Sequence, residues 1–476
     1  MIDYKELCLD KSLKDHLYIQ LFRQLKNQIL SAKLLAGEKL PPIRKLSETL
    51  KVNNVTIVNA YKLLEEGGYV YKKIGSGTFV SEIKYSLASE EEESDFVINF
   101  ASASPSADLF PVELFKESIN KALDRDMGNA FSYQELKGYL PLRQSLSGYL
   151  ESINIDADPE SIHVISGAQQ GIDIVSKGLI DYGDYVIVES PTYTGALASL
   201  NLKGANILEV PLLTDGPNIA VLKKLIGKYR PKLLYVMPNF HNPTGISYSY
   251  EKKKELLSLA DKYEFKIIED DFSSDLYFDS KFPVTLKSLD KNNKVIYIKS
   301  FSKVLMPGLR LGFMVAPTDI EKQIMFAKHT SDISTSGLIQ RAFDIFLRSG
   351  YLSVQVDKIR AEYKSRYFEA IEILEKKNKK IMKCDFPDGG LNFWVEIPEG
   401  LDSDVLVRKV NSKGVKVVSG KEFYSSKARE NFIRLSISTQ KSENLAKGID
   451  IIYDELVKYL NDYNSVADKK SFIPTI

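Results

Sequence analysis

The sequence predicts an α/β protein with a mostly parallel central sheet, preceded by a small basic helical unit. From about residue 99 onward, short apolar runs rich in Val, Ile, Leu and Tyr alternate with helix-like segments. Residues 11–80 hold twelve Lys or Arg against five Asp or Glu, whereas the whole chain has a net charge of only +1. Between these parts lies the acidic stretch SEEEESD, which is typical of a solvated linker. We therefore predict a basic domain over 1–82, a linker over 83–97 and a body over 98–476.

Length and composition set limits on the class of protein. A chain of 476 residues is long enough for two or three domains, and 44% hydrophobic with 27% charged residues is ordinary for a globular protein. The sequence has no apolar run of about 18 residues and no apolar signal region at its start, so we expect no membrane span. Cys8 and Cys384 are far apart and lack metal-ligand spacing. They fit a reducing compartment, and we expect a cytoplasmic protein without a metal site.

The basic unit has the pattern of three helices followed by a hairpin. LYIQLFRQLKNQIL places Tyr18, Leu21, Phe22, Leu25 and Ile29 on one helical face. LPPIRKLSETL begins a second helix, and VTIVNAYKLLEEGGY forms a third that ends at a glycine pair. YVYKKIGSGTFV reads as two short strands around a turn. This order predicts a winged helix-turn-helix that binds double-stranded DNA, and the alternative is a small helical protein-interaction module.

The segment LPPIRKLSETLKVNNVTIVNAYKLLEEGGYVYKKIGSGTFV resembles the winged-helix domain of GntR-type bacterial regulators. The resemblance implies that Arg44 contacts DNA. Where many members have Ser-Arg before the recognition helix, this chain has Asn53-Asn54, and because asparagine prefers adenine, a different operator is implied. The expected DNA-binding residues are Arg44, Asn53, Asn54, Thr56, Asn59, Lys62, Lys72, Lys73 and Gly75.

In the body, six apolar runs predict strands: IHVIS, DYVIVES, KLLYVMPN, FKIIEDD, KVIYIKS and LGFMVAP. Several are separated by helical patterns, which indicates βαβ units with helices on both faces of the sheet. A long amphipathic helix follows, and GGLNFWVEIP, GVKVVSG and NFIRLSIS predict a smaller C-terminal α/β lobe. We expect the last dozen residues, SVADKKSFIPTI, to be a tail of little structure.

Polar residues follow the predicted strands in four places. Lys303 lies just beyond the run KVIYIKS, with Ser300, Ser302 and Arg310 close by in a set that suits a phosphate. ISGAQQGI is a small-residue turn into a helix, PNFHNPTGI contains Asn242, and KIIEDDFSSD carries Asp270 and Asp271. Each feature has a plain alternative, namely a surface lysine, a salt-bridge arginine, a glycine or Asn-Pro turn, or surface carboxylates. The carboxyl ends of parallel strands share one edge, so these residues should meet there.

Together these residues fit pyridoxal 5′-phosphate, which needs an amine, an acid at the ring nitrogen, a phosphate cup and a flat group over the ring. Lys303 would supply the catalytic amine, Asp270 the acid, and Asn242 a bond to the 3-oxygen of the ring. Tyr193 would stack on the ring, although an ordinary core tyrosine is the alternative. The phosphate would be held by Gly167, Ala168, Gln169, Ser300, Ser302 and Arg310.

SFSKVLMPGLRLGF, together with HNPTG, resembles the fold-type I, class I/II aminotransferases, and the likeness runs from about Asn99 to Tyr459. It implies a dimer in which Tyr133 reaches the phosphate of the partner subunit and Arg434 binds the α-carboxylate of an amino acid. The chain departs from the pattern at three residues. Ala168 replaces a phosphate-bonding Ser or Thr, and Phe272 and Ser273 stand where related proteins have a tyrosine near the cofactor.

A GntR-like head on an aminotransferase-like body resembles the MocR/GabR-type transcriptional regulators. The resemblance implies a head-to-tail homodimer that senses an amino compound when the cofactor forms an external aldimine with it. The alternative is an active aminotransferase, converting amino acid to 2-oxoacid, with an accessory DNA-binding head. A third possibility is a regulator that binds another ligand and leaves Lys303 unreactive.

Overall fold

The computed structural model describes residues 4, 7, 9, 16–30, 34, 37–66, 69–73, 76–81, 98–278, 282–425 and 431–470. The chain divides into a head unit, Met1–Glu93, and a body unit, Ser94–Ile476. The predicted linker over 83–97 lies outside the described residues, so the domain boundaries drawn from the sequence stay predictions.

The head unit has the predicted order of elements, which are α1 (Leu17–Leu30), α2 (Ile43–Leu50), α3 (Asn54–Glu66), β1 (Val70–Lys73) and β2 (Gly77–Val80). The two strands pair antiparallel as a hairpin. Lys51 adopts a left-handed conformation with φ of 51°, which ends α2 and turns the chain into α3. The winged helix-turn-helix prediction is therefore confirmed.

The apolar residues predicted from helical spacing form the core of the head unit. Leu21, Leu25 and Ile29 of α1 are buried together with Ile57, Ala60, Tyr61 and Leu64 of α3. Tyr18 and Phe22 pack against this core from partly buried positions. The Tyr61 hydroxyl donates to the Pro41 carbonyl at 2.8 Å, which fixes α3 against the start of α2.

The body unit is built on an eight-stranded sheet in the order β4-β11-β10-β9-β8-β5-β6-β7. Its strands are β4 (Ile162–Ile165), β5 (Tyr185–Ser190), β6 (Asn206–Leu213), β7 (Gly216–Pro217), β8 (Leu233–Val236), β9 (Lys266–Asp271), β10 (Val295–Ser300) and β11 (Gly312–Val315). The pairs β6–β5, β5–β8, β8–β9 and β9–β10 are parallel, whereas β11 is antiparallel to both β10 and β4. All six predicted runs are strands, but β6 was not among them.

Helices cover both faces of this sheet, as predicted. They are α6 (Ala168–Leu179), α7 (Thr194–Leu202), α8 (Ile219–Tyr229), α9 (Tyr250–Tyr263), α10 (Leu286–Leu289) and α11 (Glu321–Ser331). Successive strand residues alternate between two apolar clusters: Ile268 and Ile296 pack with α6, α7 and α11, whereas Ile267 and Val295 pack with α8, α9 and α10. This double burial explains why the strands are apolar along their whole length.

A second lobe completes the body unit. Its helices are α4 (Val112–Asp126), α5 (Leu140–Ser152), α12 (Gly337–Arg348), α13 (Tyr351–Glu375), α14 (Ser403–Asn411) and α15 (Ser442–Lys470). Its strands are β3 (Ile98–Asn99), β12 (Lys383–Cys384), β13 (Asn392–Glu396), β14 (Val415–Lys416), β15 (Val418–Ser419) and β16 (Phe432–Ser436). The predicted terminal tail was wrong over residues 465–470, which continue α15, and residues 471–476 lie outside the described residues. Across the described residues, none of the helices is long and apolar enough to cross a membrane.

Candidate cofactor and DNA-binding sites

Lys303 lies three residues beyond β10, where charged side chains from several elements surround its amine. Burial lowers the pKa of Lys303 to about 8, and the positive charges of Arg434 and Arg310 act in the same direction. The carboxylate of Asp270 opposes them. A lysine with a pKa near 8 holds an appreciable fraction of free amine at neutral pH, which is the nucleophilic form.

Asp270 is the penultimate residue of β9 and is buried. Its Oδ2 accepts a hydrogen bond from the Tyr235 hydroxyl on the adjacent strand at 2.7 Å. Its Oδ1 is buried without a hydrogen-bond partner in the structure. Burial is the largest cause that raises the pKa of Asp270 to about 7; the charges of Asp271 and Glu189 act in the same direction, whereas the Tyr235 bond and the charge of Lys303 oppose the rise. An orphan carboxylate oxygen of this kind fits a cationic N–H donor that the chain itself does not supply.

The start of α6 and the turn after β10 form a site suited to an anion. Gly167 has φ of 89°, and α6 begins at Ala168 without a side-chain cap. The Arg310 guanidinium donates to the Ser166 carbonyl at 2.7 Å. A Cβ on Gly167 would come within 2.8 Å of Arg310 Nη2. Glycine is therefore needed for both the backbone conformation and the approach of Arg310.

Three more predicted phosphate residues flank this turn. The hydroxyls of Ser300 and Ser302 lie 3.1 Å apart, and Ser300 is buried. Gln169 donates from Nε2 to the Gly195 carbonyl at 3.0 Å and to Ser199 Oγ at 2.9 Å. Its amide donor therefore faces α7, and its backbone N–H at the first turn of α6 is the group suited to an anion.

Arg434 and Asn242 join the second lobe to the sheet. Arg434, on β16, donates from Nη1 to Asn242 Oδ1 at 3.1 Å and from Nη2 to the Ala101 carbonyl. Its Nε is buried without a partner in the structure, and burial lowers the pKa of Arg434 to about 10. Asn242 Oδ1 also lies 3.5 Å from Asn392 Nδ2. Both side chains thus have one end held by protein groups at the edge of the same cleft.

Tyr193 precedes α7 and shares this environment. Burial raises the pKa of Tyr193, as does the charge of Asp270, while Arg310 and Arg434 oppose the rise. A Cβ on Gly195 would approach Tyr193 Cε1 within 2.5 Å and Gln169 Oε1 within 2.1 Å. The glycine therefore leaves room for the tyrosine ring, a requirement that we did not derive from the sequence.

The structure also places the three departures from the aminotransferase pattern. Phe272 packs in the apolar cluster that contains Tyr235 and Ile268. The buried Ser273 hydroxyl donates to the Phe240 carbonyl at 3.4 Å. Ala168 is partly exposed at the first position of α6. Neither Phe272 nor Ala168 can supply a side-chain hydroxyl to a ligand.

Two groups of residues with clear roles escaped the sequence reasoning. Tyr235 lies within an apolar strand, and its pairing with Asp270 depends on strand order. Asp271, the neighbour of Asp270, belongs to a buried network with Lys299 and Asp275, in which the Lys299 amine lies 3.2 Å from Asp271 and 2.8 Å from Asp275. The signal that could have revealed this network is a charged residue near the end of each of two apolar runs, namely Asp271 in FKIIEDD and Lys299 in KVIYIKS.

In the head unit, most of the predicted DNA-binding residues are at the surface. Arg44, Asn53, Asn54, Lys62, Lys72 and Lys73 are exposed, Thr56 and Asn59 are partly exposed, and Gly75 lies outside the described residues. Asn53 Oδ1 accepts from the Val55 N–H at 3.0 Å, and Asn54 Oδ1 accepts from Ser47 Oγ at 2.6 Å. In the body unit, Tyr133 is 84% exposed and therefore free to reach another molecule.

Comparisons with known proteins identify both units. Residues 17–80 match the model of the bacterial regulatory proteins of the gntR family, and residues 97–452 match the model of aminotransferase class I and II. The uncharacterized HTH-type transcriptional regulator YdfD of Bacillus subtilis is 31% identical over 91% of this chain and 94% of its own length. That relative therefore spans both units.

Two solved structures resemble the body unit. Kynurenine aminotransferase of Pyrococcus horikoshii, in complex with PMP, has a TM-score of 0.74 and 30% identity, covering 77% of this chain and 92% of its own. LysN, the α-aminoadipate aminotransferase of Thermus thermophilus, was solved with N-(5′-phosphopyridoxyl)-L-leucine. It has a TM-score of 0.72 and 32% identity, covering 76% of this chain and 93% of its own.

The fold and these relatives identify pyridoxal 5′-phosphate as the cofactor of the body unit. The match to the gntR family likewise makes the head unit a DNA-binding domain. With regulator relatives along most of its length, the chain belongs to the GntR family of transcriptional regulators, in the MocR/GabR-type group that carries an aminotransferase-like domain.

Proposed function

We propose that the chain regulates transcription in response to an amino compound that reacts at the Lys303 site. The observation that carries the proposal is the pairing of a low-pKa lysine with an acid whose Oδ1 lacks a partner, in a chain that also has a DNA-binding head. Pyridoxal 5′-phosphate, when bound, supplies an aldehyde that condenses with amines and a ring that withdraws electrons. An amino compound would compete with Lys303 for that aldehyde.

The side chains divide the work of holding this cofactor. Asp270 Oδ1 would accept from the protonated ring nitrogen, and the bond from Tyr235 to Oδ2 keeps the carboxylate oriented. Asn242 already uses its Oδ1 as an acceptor, so its Nδ2 would be the donor to the 3-oxygen of the ring. Tyr193 would stack on the ring, and Gly195 leaves room for the tyrosine side chain.

We place the phosphate of the cofactor at the start of α6. The groups that would hold it are the backbone of Gly167, Ala168 and Gln169 and the side chains of Ser300, Ser302 and Arg310. Helix N-termini favour anions, and an arginine adds a charge-assisted bond. Arg434, whose Nε lacks a partner, holds the carboxylate of the incoming compound.

The regulator acts as a homodimer, in which Tyr133 serves the phosphate site of the partner subunit. Its exposure supports this role, and Met127 and Phe131, which are close in sequence, are 70% and 71% exposed. Exposed apolar side chains that form a contiguous patch are typical of an interface, and Met127, Phe131 and Tyr133 lie within seven positions of the chain. The head-to-tail arrangement and the location in the cytoplasm, where a bacterial regulator meets its operator, are part of the same proposal.

Absorbance spectroscopy tests the covalent role of Lys303. Purified protein loaded with pyridoxal 5′-phosphate should show a visible band, which Lys303→Ala and Lys303→Arg should both lose. The arginine variant keeps the positive charge but cannot condense with the aldehyde. Lys322→Ala, which removes an exposed lysine on α11, is the matched control and should keep the band. A wild type that stays colourless in excess cofactor would contradict the proposal.

The second candidate function is an active aminotransferase, which the resemblance to kynurenine and α-aminoadipate aminotransferases favours. Two measurements on the same protein separate the candidates. A regulator should change its DNA affinity when a panel of amino acids and amines is added, and Lys303→Ala should abolish that change. Rapid multiple turnover of an amino acid with a 2-oxoacid, without any effect on DNA affinity, would favour the enzyme.

A further inference from the structure

The exposed face of the recognition helix α3 presents two valines to solvent. Val55 is 59% exposed and Val58 is 44% exposed, whereas Ile57, Ala60 and Leu64 on the opposite face are fully buried. Val55, Val58 and Lys62 follow one another at i, i+3 and i+7, so they lie along one line of the helix. This exposed line of α3 is therefore apolar at Val55 and Val58 and cationic at Lys62.

The charge around the valines indicates what covers them. Five exposed cationic residues lie on α2, α3 and β1 of the head unit: Arg44, Lys45, Lys62, Lys72 and Lys73. Val58 lines a groove of about 360 Å³ together with Ile43, Lys62, Lys72 and Glu65, and the Glu65 carboxylate pairs with Lys72 within the head unit. The fitting ligand is a polyanion that also offers small apolar groups. Double-stranded DNA does so in its major groove, where each thymine displays a C5-methyl group.

The asparagines before the valines have part of their hydrogen-bonding capacity engaged within the head unit. Asn53 Oδ1 accepts from the Val55 N–H, and Asn54 Oδ1 accepts from Ser47 Oγ. An asparagine that reads adenine uses Oδ1 as an acceptor and Nδ2 as a donor. Because both Oδ1 atoms hold the start of α3 in place, they fix the position from which Val55 projects.

We propose that Val55 and Val58 determine operator specificity by contacting thymine methyl groups in the major groove. This inference rests on the DNA-binding function of the head. Removing one thymine methyl should cost about fourfold in affinity, the loss expected for one apolar carbon group that is no longer buried. Truncating the valine that touches it should cost a similar factor.

The test starts from full-length protein loaded with pyridoxal 5′-phosphate. A tight-binding duplex is selected from a random pool, and each thymine in it is then replaced singly by deoxyuridine, which lacks only the methyl group. We expect one or two positions at which the replacement weakens wild-type binding about fourfold. At those positions Val55→Ala or Val58→Ala should bind thymine and uracil duplexes equally well.

Val354→Ala, which truncates an exposed valine on α13 of the body unit, is the matched control and should keep the wild-type uracil pattern. Circular dichroism checks that the head variants stay folded, which their exposure predicts. Uracil tolerated at every thymine, or a pattern unchanged in both valine variants, would overturn the inference and leave a protein partner as the occupant of this face. Selection that enriches no sequence at all would instead contradict the DNA-binding function itself.

Discussion

Asp270 and Asp271 are neighbours on β9, equally buried at 3% exposure, yet they differ in their charge partners and in how many hydrogen bonds they accept. Asp271 Oδ2 accepts from the Tyr297 hydroxyl and from the Lys299 amine at 3.2 Å, and its Oδ1 accepts from the Ser274 N–H at 3.0 Å. Burial raises the pKa of Asp271, but the charge of Lys299 and these hydrogen bonds outweigh it, so the pKa is lowered overall. Asp270 has one donor, an orphan oxygen and a pKa raised to about 7.

Asp271 is fully engaged by groups of the protein, whereas Asp270 keeps one carboxylate oxygen without a partner, which is why we propose a ligand-binding role for Asp270 alone. A strand turns successive side chains to opposite faces, so two identical residues meet two different environments. Asp271 meets a lysine that is itself fully buried and is tied to Asp275 at 2.8 Å. Asp270 meets the cleft that contains Lys303 and Arg434. Substituting one or the other should therefore damage different properties.

The largest effect should come from Asp271→Asn, which removes the charge partner of a fully buried lysine. We expect the apo protein to lose about 3 kcal/mol of unfolding free energy, the lower end for breaking a buried ion pair, because Asp275 still contacts Lys299. Urea unfolding followed by circular dichroism measures this loss. Asp270→Asn is the matched control and should unfold within about 1 kcal/mol of wild type at pH 4, where Asp270 is protonated in the folded protein and partly protonated in the unfolded chain. Equal losses in the two variants would show that the two acids are not distinct.

Asp270→Asn should instead weaken cofactor binding. The neutral amide removes a charge-assisted bond to the ring nitrogen, worth about 2 kcal/mol, so affinity should fall by a factor of about 30. Titration of apo protein with pyridoxal 5′-phosphate, followed by the visible band, gives the dissociation constants. An unchanged constant would remove Asp270 from the cofactor site while leaving Lys303 in it.

The raised pKa of Asp270 gives the apo protein a specific pH dependence. Between its ordinary value of 3.8 and about 7, folded Asp270 keeps a proton that the unfolded chain releases. The stability from this group is therefore fully present at low pH and falls as the pH rises toward 7, by up to about 1.4 kcal/mol per pH unit. Unfolding of wild type minus that of Asp270→Asn, measured from pH 4.5 to 7.5, isolates this slope. A flat difference would contradict it.

The sequence predicted what depends on order along one chain, and missed what depends on neighbours in space. Asp270, Asn242 and Lys303 were expected in one cleft because each follows a strand, and the carboxyl ends of parallel strands share an edge. The hydrogen bond from Tyr235 to Asp270 could not be predicted, because the two residues lie on adjacent strands and no local sequence pattern determines strand order. On α3, Thr56, Asn59 and Lys62 were expected to contact DNA, whereas the exposed Val55 and Val58 were overlooked because they are apolar.

The smallest effects should come from two buried tyrosines that form a matched pair. Tyr235 donates to Asp270 from β8, and Tyr297 donates to Asp271 from β10; both are fully buried. Tyr235→Phe removes the bond that lowers the pKa of Asp270, so the acid is less ionised at pH 7 and cofactor affinity should fall about fivefold, equivalent to about 1 kcal/mol. Tyr297→Phe should lower the unfolding free energy by about 1 kcal/mol.

The two phenylalanine variants remove the same atom, so their effects can be compared directly. Cofactor affinity should remain at the wild-type value in Tyr297→Phe, because Asp271 keeps Lys299 and the Ser274 N–H as partners. Raising the pH from 7 to 8.5 should increase cofactor affinity more in Tyr235→Phe than in wild type, because Asp270 starts from a less ionised state in the variant. A simple packing defect would not recover with pH. Such extra recovery in Tyr235→Phe would identify Tyr235 as the residue that lowers the pKa of Asp270 in the folded protein.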